Sequence, residues 1–203
     1  MSAQATPLDR HEQQTIGTDK LVVPTESTQR YRDEVSVLKT RILELEQAAD
    51  TDPLVPVYNR RAFMREIGRA QTLMARYDIL CSIIFFDLNG FKVINDRFGH
   101  NIGDDLLIKV GTTLSASVRD CDMVARIGGD EFGVLLFKSD ETIARAKAAS
   151  LACRIASQYV DMLGDKISIS AAWGVSACHP GDTVRQILHR ADRAMYESKP
   201  DKQ

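Results

Sequence analysis

The sequence predicts an α+β fold, within the broad α/β class, in which one mixed sheet is flanked by helices and preceded by a coiled-coil helix. Apolar runs of strand length alternate with amphipathic segments of helical spacing across residues 51–200. The predicted order is helix, strand, helix, helix, strand, strand, helix, strand, helix. A single sheet with helices packed against it accounts for this order.

Composition places limits on the class of protein. The chain has 203 residues, of which 44% are apolar and 27% charged, enough for one domain and an appendage. Its net charge of −2 gives no reason to expect a nucleic acid or an anionic membrane as partner. No apolar run approaches the roughly 20 residues that span a bilayer, so we expect a cytoplasmic location. Four scattered cysteines predict reduced, mostly buried thiols.

The N-terminal region divides into two parts. Residues 1–28 are polar and predict a disordered lead-in, whereas residues 29–50 predict a coiled-coil helix. A helix that packs on its own domain remains the alternative to a parallel homodimer. The apolar residues with the alternating spacing of a coiled-coil seam are Tyr31, Val35, Leu38, Ile42, Leu45 and Ala49.

The domain begins where two prolines, Pro53 and Pro56, interrupt the first helix. A second helix follows, with Phe63, Ile67, Ala70, Met74 and Tyr77 along one face.

A central strand and a short helix follow. Residues 80–86 form an apolar run interrupted only by Ser82 and predict a strand covered on both faces, ending at Asp87. Asn89 is predicted to cap a short helix that stops at Gly99, and Gly103 and Asp104 are predicted to open the next helix.

Two adjacent glycines, Gly128 and Gly129, separate two apolar runs and predict an antiparallel hairpin, because glycine accepts positive φ in tight turns. Asp130 and Glu131 follow and would lie at its tip. These acids fit either a solvated turn or a site for a hard cation, which prefers oxygen ligands.

The C-terminal part predicts three further elements. Ser139 or Asp140 should cap a long helix that runs through Met162 and ends at Gly164. Alternating apolar residues then predict one strand over 167–175, and the last helix begins near Thr183.

Two motifs make the pattern specific. The sequence Gly-Gly-Asp-Glu-Phe at 128–132, with Phe-Asp-Leu-Asn-Gly-Phe-Lys and its continuation at 86–104, resembles the GGDEF family of diguanylate cyclases over roughly residues 50–199. The resemblance implies a fold similar to the palm of polymerases and nucleotide cyclases. It also implies an enzyme that condenses two GTP into cyclic di-GMP and two pyrophosphates, with one GTP on each of two facing domains.

The resemblance also implies the catalytic residues. Asp87, Asp130 and Glu131, with the backbone carbonyl of Leu88, match ligands of Mg²⁺, for which Mn²⁺ is an alternative. Asp130 matches the proton acceptor, and Asp130 and Glu131 are the catalytic pair. Asn89 replaces an aspartate that many members carry, so we do not count it among the ligands.

Substrate contacts are implied in the same way. Asn95 and Asp104 match the pair that recognises guanine, and His100 matches a further substrate contact. Taken singly, each could instead be a helix cap or a turn residue. The N–H groups at the start of the short helix could hold phosphates, with lysines adding positive charge, which gives Gly90, Phe91, Lys92 and Lys199.

Arg119 and Asp122 match the family's inhibitory R-x-x-D site, at which product binds. A surface ion pair is the alternative interpretation. A second arginine for such a site could be Arg145 or Arg154, and the sequence does not decide between them.

Two departures from the family pattern leave other functions open. Val55, Pro56 and Val57 replace the usual Thr-Gly-Leu, and the Gly-Arg-Asn that usually follows the last helix is missing. A receptor for GTP or cyclic di-GMP, or a scaffolding dimer with an idle nucleotide site, are therefore the alternatives to an active cyclase.

Overall fold

The computed structural model describes residues 26–198. The chain divides into two units, residues 1–43 and 44–203. The helices are α1 (Glu26–Asp50), α2 (Arg60–Tyr77), α3 (Phe91–Phe98), α4 (His100–Ser115), α5 (Glu141–Ala156) and α6 (Val184–Ser198). The strands are β1 (Tyr58–Asn59), β2 (Cys81–Leu88), β3 (Met123–Arg126), β4 (Glu131–Phe137), β5 (Tyr159–Met162), β6 (Asp165–Ser168) and β7 (Ala171–Ala177).

A five-stranded sheet in the order β1-β3-β4-β2-β7 forms the centre of the second unit. Only the β1–β3 pair is parallel, so the sheet is mixed, as the sequence predicted. The central position of β2 explains its nearly unbroken apolar sequence. Ile84 and Phe86 join the core formed with α4 and α5, whereas Ile83 joins the core formed with α2. Both faces of β2 are therefore covered by helices.

The linker that departs from the family pattern is part of this core. Val55 is fully buried, Val57 is 5% exposed, and a Cβ at Gly111 of α4 would lie 2.2 Å from Val55 Cγ1. The two valines thus pack directly against the backbone of α4. Asn59 then caps α2, because its side chain accepts from the Ala62 N–H at 3.0 Å.

The predicted end of the long helix in the C-terminal half was wrong. The helix capped by Asp140 ends at Ala156 and does not reach Gly164; Tyr159–Met162 instead pairs with Asp165–Ser168 as a separate hairpin. Leu163 and Gly164 form its turn, with φ of 56° and 95°. Met162 lies seven residues after Ile155, which fits a helix face, and two residues after Val160, which fits a strand, so apolar spacing alone could not separate the two structures.

Three boundaries also differ. The predicted strand at 167–175 is divided between β6 and β7, with Ile169 between them. Leu80 lies before β2 and is 54% exposed. Helix α4 begins at His100, immediately after Gly99, whose φ of 86° separates it from α3.

The cysteines are all free, but only Cys81 and Cys178 are buried, so the expectation of mostly buried thiols holds for half of them. Within residues 26–198, no helix is both long and apolar enough to cross a membrane.

In the first unit, residues 27–41 of α1 present apolar side chains to solvent, whereas the side chains of Ile42 and Leu45 lie outside the described part of the chain. Tyr31, Val35 and Leu38 of the predicted seam are 69%, 48% and 55% exposed.

Candidate active site

The acids of the two motifs meet at the same edge of the sheet. Asp87 near the end of β2 lies directly opposite Glu131 at the start of β4. The Leu88 N–H donates to the Asp130 carbonyl at 3.1 Å, which ties β2 to the hairpin turn. Strand pairing therefore brings Asp87 and Leu88 next to Asp130 and Glu131. The two pairs of residues are at least 42 positions apart along the chain.

Glu131 is the acid of this cluster whose pKa is raised. Burial raises the pKa of its carboxyl above the ordinary value, and the negative charges of Asp87, Asp130 and Asp192 raise it further, while Arg60 opposes them. A carboxylate that loses hydration beside other acids is stabilised by a cation. Asp192 comes from α6, so the last helix adds a further negative charge to the site.

The donor set suits Mg²⁺ bound together with substrate. Among the described residues, no group of three His, Cys, Asp or Glu side chains forms a ready metal cage. Mg²⁺ usually takes one or two carboxylates and completes its coordination with water and substrate phosphates. Asp87, Asp130, Glu131 and the Leu88 carbonyl fit that role as the residues that would hold the ion.

The glycines of the turn serve a different purpose from the one predicted. Neither Gly128 nor Gly129 has a positive φ. A Cβ at Gly128 would lie 2.4 Å from Glu131 Oε2, so the absence of a side chain there makes room for the carboxylate. The Ile127 N–H also donates to the Glu131 carbonyl at 2.8 Å. Of the two acids, Asp130 belongs to the turn with the glycines, whereas Glu131 is the first residue of β4.

The segment that could hold phosphates begins at Gly90, which has a φ of 71° and precedes α3. Asn89 does not cap this helix as predicted. Its backbone N–H donates to the Ser170 carbonyl at 2.8 Å, and its side-chain amide donates to Ser170 Oγ at 3.0 Å. No side chain of the described residues caps α3, which leaves its first N–H groups, beside the exposed Lys92, without a side-chain acceptor.

The predicted guanine pair lies on α3 and α4, which pack against each other. Asn95 lies against Gly103, at which a Cβ would be 1.9 Å from Asn95 Oδ1. Asn95 Oδ1 is buried and accepts no hydrogen bond from any described residue. Asp104 follows Gly103 and is half-buried. An orphaned acceptor suits a ligand edge that offers N–H donors, as guanine does. His100 lies exposed at the start of α4.

The predicted inhibitory pair lies at the other end of the hairpin. Asp122 accepts from the Arg119 N–H and the Phe137 N–H, each at 3.1 Å, and Arg119 is exposed. Phe137 is the last residue of β4 and Glu131 the first, about 20 Å apart at the rise of a strand. Arg145 pairs with Glu141 at 2.7 Å on α5. Lys199 lies outside the described residues.

Sequence reasoning missed three charged residues near Glu131. Arg60 of α2 and Asp192 of α6 line a cavity of about 380 Å³ that also contains Glu131. Arg126 contacts the hairpin turn directly. Arg126 stands two residues before Gly128, and Arg60 is the first residue of α2, but nothing in their spacing shows what they contact.

The chain is similar to known proteins in both sequence and fold. The family described as "Diguanylate cyclase, GGDEF domain" matches residues 49–203. The bifunctional diguanylate cyclase/cyclic di-GMP phosphodiesterase MucR of Pseudomonas aeruginosa is 37% identical over 176 residues, covering 84% of this chain and 25% of MucR. The chain therefore spans about a quarter of the length of that relative.

Two solved structures share the fold. Diguanylate cyclase SiaD of Pseudomonas aeruginosa, solved with its activator SiaC, matches with a TM-score of 0.75 and 26% identity, over 85% of this chain and 67% of that chain. The coiled coil and GGDEF domain of DgcB from Caulobacter crescentus, solved with c-di-GMP, matches with a TM-score of 0.76 and 23% identity. That match covers 83% of this chain and 90% of the DgcB chain.

Proposed function

Because the chain belongs to the GGDEF family of diguanylate cyclases, we propose that it condenses two GTP molecules into cyclic di-GMP and two pyrophosphates. The observation that carries the proposal is the pairing of Asp87 with Glu131 across β2 and β4, next to Asp130. This pairing concentrates negative charge where a metal ion that carries the triphosphate would need it. GTP as substrate also favours a cytoplasmic location.

The residues divide the work as follows. Asn95 Oδ1 and the Asp104 carboxylate accept from the donor edge of guanine, and the N–H groups at the start of α3 with Lys92 hold the phosphates. The Asp130 carboxylate accepts the proton of the attacking 3′-hydroxyl, whose oxygen bonds to the α-phosphorus of the other GTP as pyrophosphate leaves. Mg²⁺, or Mn²⁺ in its place, supplies charge neutralisation on the phosphates and lowers the pKa of the hydroxyl.

The reaction joins two nucleotides, so we propose a homodimer in which each copy presents one GTP. The exposed Tyr31, Val35 and Leu38 on α1 support pairing through a coiled coil. We also propose that cyclic di-GMP inhibits the enzyme at Arg119 and Asp122. The exposed guanidinium of Arg119 supports this role, because its planar fork matches guanine or phosphate. The backbone contacts of Asp122 would then hold the loop that presents Arg119.

The test is to incubate the nucleotide-free chain with GTP and Mg²⁺ and to resolve the products by chromatography and mass. We expect cyclic di-GMP from the wild type and a loss of at least about 100-fold in Asp130→Asn, because a proton acceptor and metal ligand is removed. Asp165→Asn, at an exposed acid of the β5–β6 hairpin, is the control and should be unaffected. Unreacted GTP with cyclic di-GMP bound to the wild type would instead assign a receptor.

A scaffold whose nucleotide site is idle gives a third outcome. Ligand at 100 times its Kd stabilises a protein by about 2.7 kcal/mol. An unchanged melting temperature with saturating GTP, cyclic di-GMP and Mg²⁺ would therefore contradict both the enzyme and the receptor.

A further inference from the structure

Arg126, the last residue of β3, connects two segments that are far apart in sequence. Its Nε and Nη2 both donate to the Gly129 carbonyl, at 3.1 and 2.7 Å, and its Nη1 donates to Asp52 Oδ1 at 3.2 Å. The side chains are only 15% and 13% exposed. A guanidinium that is mostly shielded from water and donates three times is held in one orientation.

Asp52 is itself anchored to the core. The same Oδ1 accepts from the Leu54 N–H at 3.0 Å and from the Val55 N–H at 2.9 Å. Val55 is fully buried against Gly111 of α4. The Asp52 carboxylate therefore has a fixed position relative to the sheet. Because Arg126 donates to this carboxylate, the position of the guanidinium is restrained as well.

The Gly129 carbonyl belongs to the peptide group that continues into Asp130. The next carbonyl, that of Asp130, accepts from the Leu88 N–H at 3.1 Å. Arg126 and Leu88 thus hold the two peptide planes on either side of the Asp130 side chain. A turn with two glycines has no side chains of its own that could restrict these planes.

We propose that Arg126 is a positioning residue for the acidic site: braced by Asp52, it fixes the Gly129–Asp130 peptide and so the direction in which Asp130 meets the metal and the 3′-hydroxyl. The proposal rests on the proposed function, because it assigns Asp130 to metal and proton transfer. Arg126 acts through the backbone of the turn and needs no contact with GTP.

A matched control is available within the same domain. Arg190 also binds a carboxylate and a backbone carbonyl, with Nη1 at 2.9 Å from Asp182 Oδ1 and Nη2 at 2.9 Å from the Ala177 oxygen. Ala177 pairs with Ser82, whereas Ala172 pairs with Asp87, so this brace lies about 17 Å along β7 from the acidic site. Arg190→Lys removes a similar pair of contacts, to Asp182 and to the Ala177 carbonyl, and leaves the turn at Gly128–Asp130 unchanged.

The experiment compares Arg126→Lys, Arg190→Lys and Asp52→Ala in the full chain. Lysine keeps the charge of Arg126 but cannot donate to Gly129 and Asp52 together. Mn²⁺ binding is measured by titration without nucleotide, and initial rates are measured against GTP and Mg²⁺. Melting temperatures report the general loss of stability.

We expect Arg126→Lys to weaken Mn²⁺ binding, and to raise the Mg²⁺ concentration for half-maximal rate, by about 10-fold, in the range found when residues that orient metal ligands are changed. The KM for GTP, extrapolated to saturating Mg²⁺, should stay within about two-fold. Asp52→Ala should act in the same direction, and the double variant should be less impaired than the sum of the two. Arg190→Lys should lower the melting temperature and leave Mn²⁺ binding unchanged.

Two results would overturn the inference. One is an Arg126→Lys variant whose Mn²⁺ binding matches that of Arg190→Lys. The other is a loss of rate in Arg126→Lys with no change in Asp52→Ala, which would place Arg126 on the substrate. If the wild type made no cyclic di-GMP, the proposed function would fail, while the Mn²⁺ titration would still decide the role of Arg126.

Discussion

Glu131 is the residue whose ionised carboxylate is least favourable in the metal-free acidic site, because it is partly buried beside other acids. Glu131 pairs with Asp87 across the sheet and directly follows Asp130. The negative charge of Asp192 on α6 also repels its carboxylate. Burial is the largest cause of its raised pKa, so the protein holds this carboxyl partly away from water before any ligand arrives. Bound metal should therefore stabilise the domain as well as the reaction.

Glu131→Gln should stabilise the metal-free protein at neutral pH. Because the folded pKa is raised above the ordinary value of 4.5, the wild type loses stability as the pH rises from that value through the raised one. Below pH 4.5, the Glu131 carboxyl is protonated in both the folded and the unfolded chain. The wild type and Glu131→Gln should therefore have similar melting temperatures there. Thermal melts in chelator across this range check the prediction, with Asp165→Asn as control. A variant less stable than the wild type at neutral pH would contradict it.

Asn95→Ala should weaken GTP binding without lowering stability. Asn95 Oδ1 has no hydrogen-bond partner among the described residues, so the free protein loses no such bond when the amide is removed. The bound guanine would lose an acceptor, which should raise the KM for GTP by about 10-fold. Initial rates and melting temperatures are the measurements, and an unchanged KM would remove Asn95 from the guanine site.

Element packing brings β7 and α6 unusually close. A Cβ at Gly174 of β7 would lie 2.1 Å from the Met195 nitrogen and 2.3 Å from the Ala191 carbonyl oxygen. Both obstacles are backbone atoms, which cannot rotate away. This contact places α6, and with it Asp192, against the sheet.

Gly174→Ala should destabilise the protein by at least about 2 kcal/mol, because α6 must move away from β7. Gly68→Ala is the matched control. It lies within α2 with no atom within 4 Å of a new Cβ, so alanine should stabilise by about 1 kcal/mol. Denaturant unfolding of both variants measures the difference, and equal stabilities would show that the contact yields.

Strand β4 separates the two ends of the hairpin, with the acids at one end and Asp122 at the other. Arg119→Ala should therefore abolish inhibition by added cyclic di-GMP while the initial rate stays within about two-fold. Arg69→Ala, at an exposed ion pair on α2, is the control. Rates measured against cyclic di-GMP concentration decide, and retained inhibition would place the product elsewhere.

At the scale of the whole molecule, the proposed reaction joins two nucleotides, and the proposed enzyme is therefore a homodimer. Leu38→Lys should weaken self-association and lower the specific activity at low protein concentration, because it places a charge in the apolar seam of α1. Val37→Lys changes a neighbouring exposed apolar residue outside the predicted seam, and it should leave both properties unchanged. Sedimentation and rates over a range of protein concentration test this. Equal effects of the two variants would indicate that the seam does not pair.

Much of the candidate site could be predicted from the sequence because it depends on local patterns. Two apolar runs around Gly128 and Gly129 determine a hairpin, and a continuous apolar run determines a central β2, so Asp87 and Glu131 come to the same edge. The residues of the two motifs, with the separation between them, identified the family. Capping by Asp140 was also predictable, since the side chain bonds an N–H only three residues away.

The tertiary structure alone decided which distant groups complete the site. Asp192 reaches Glu131 through the packing of α6, and Arg126 reaches Asp52 across 74 residues. It also showed that Gly128 makes room for a carboxylate, and that Tyr159–Met162 is a strand because it pairs with Asp165–Ser168. Periodicity records which face of an element is apolar. It does not record which partner meets that face, because such contacts join residues with no fixed separation along the chain.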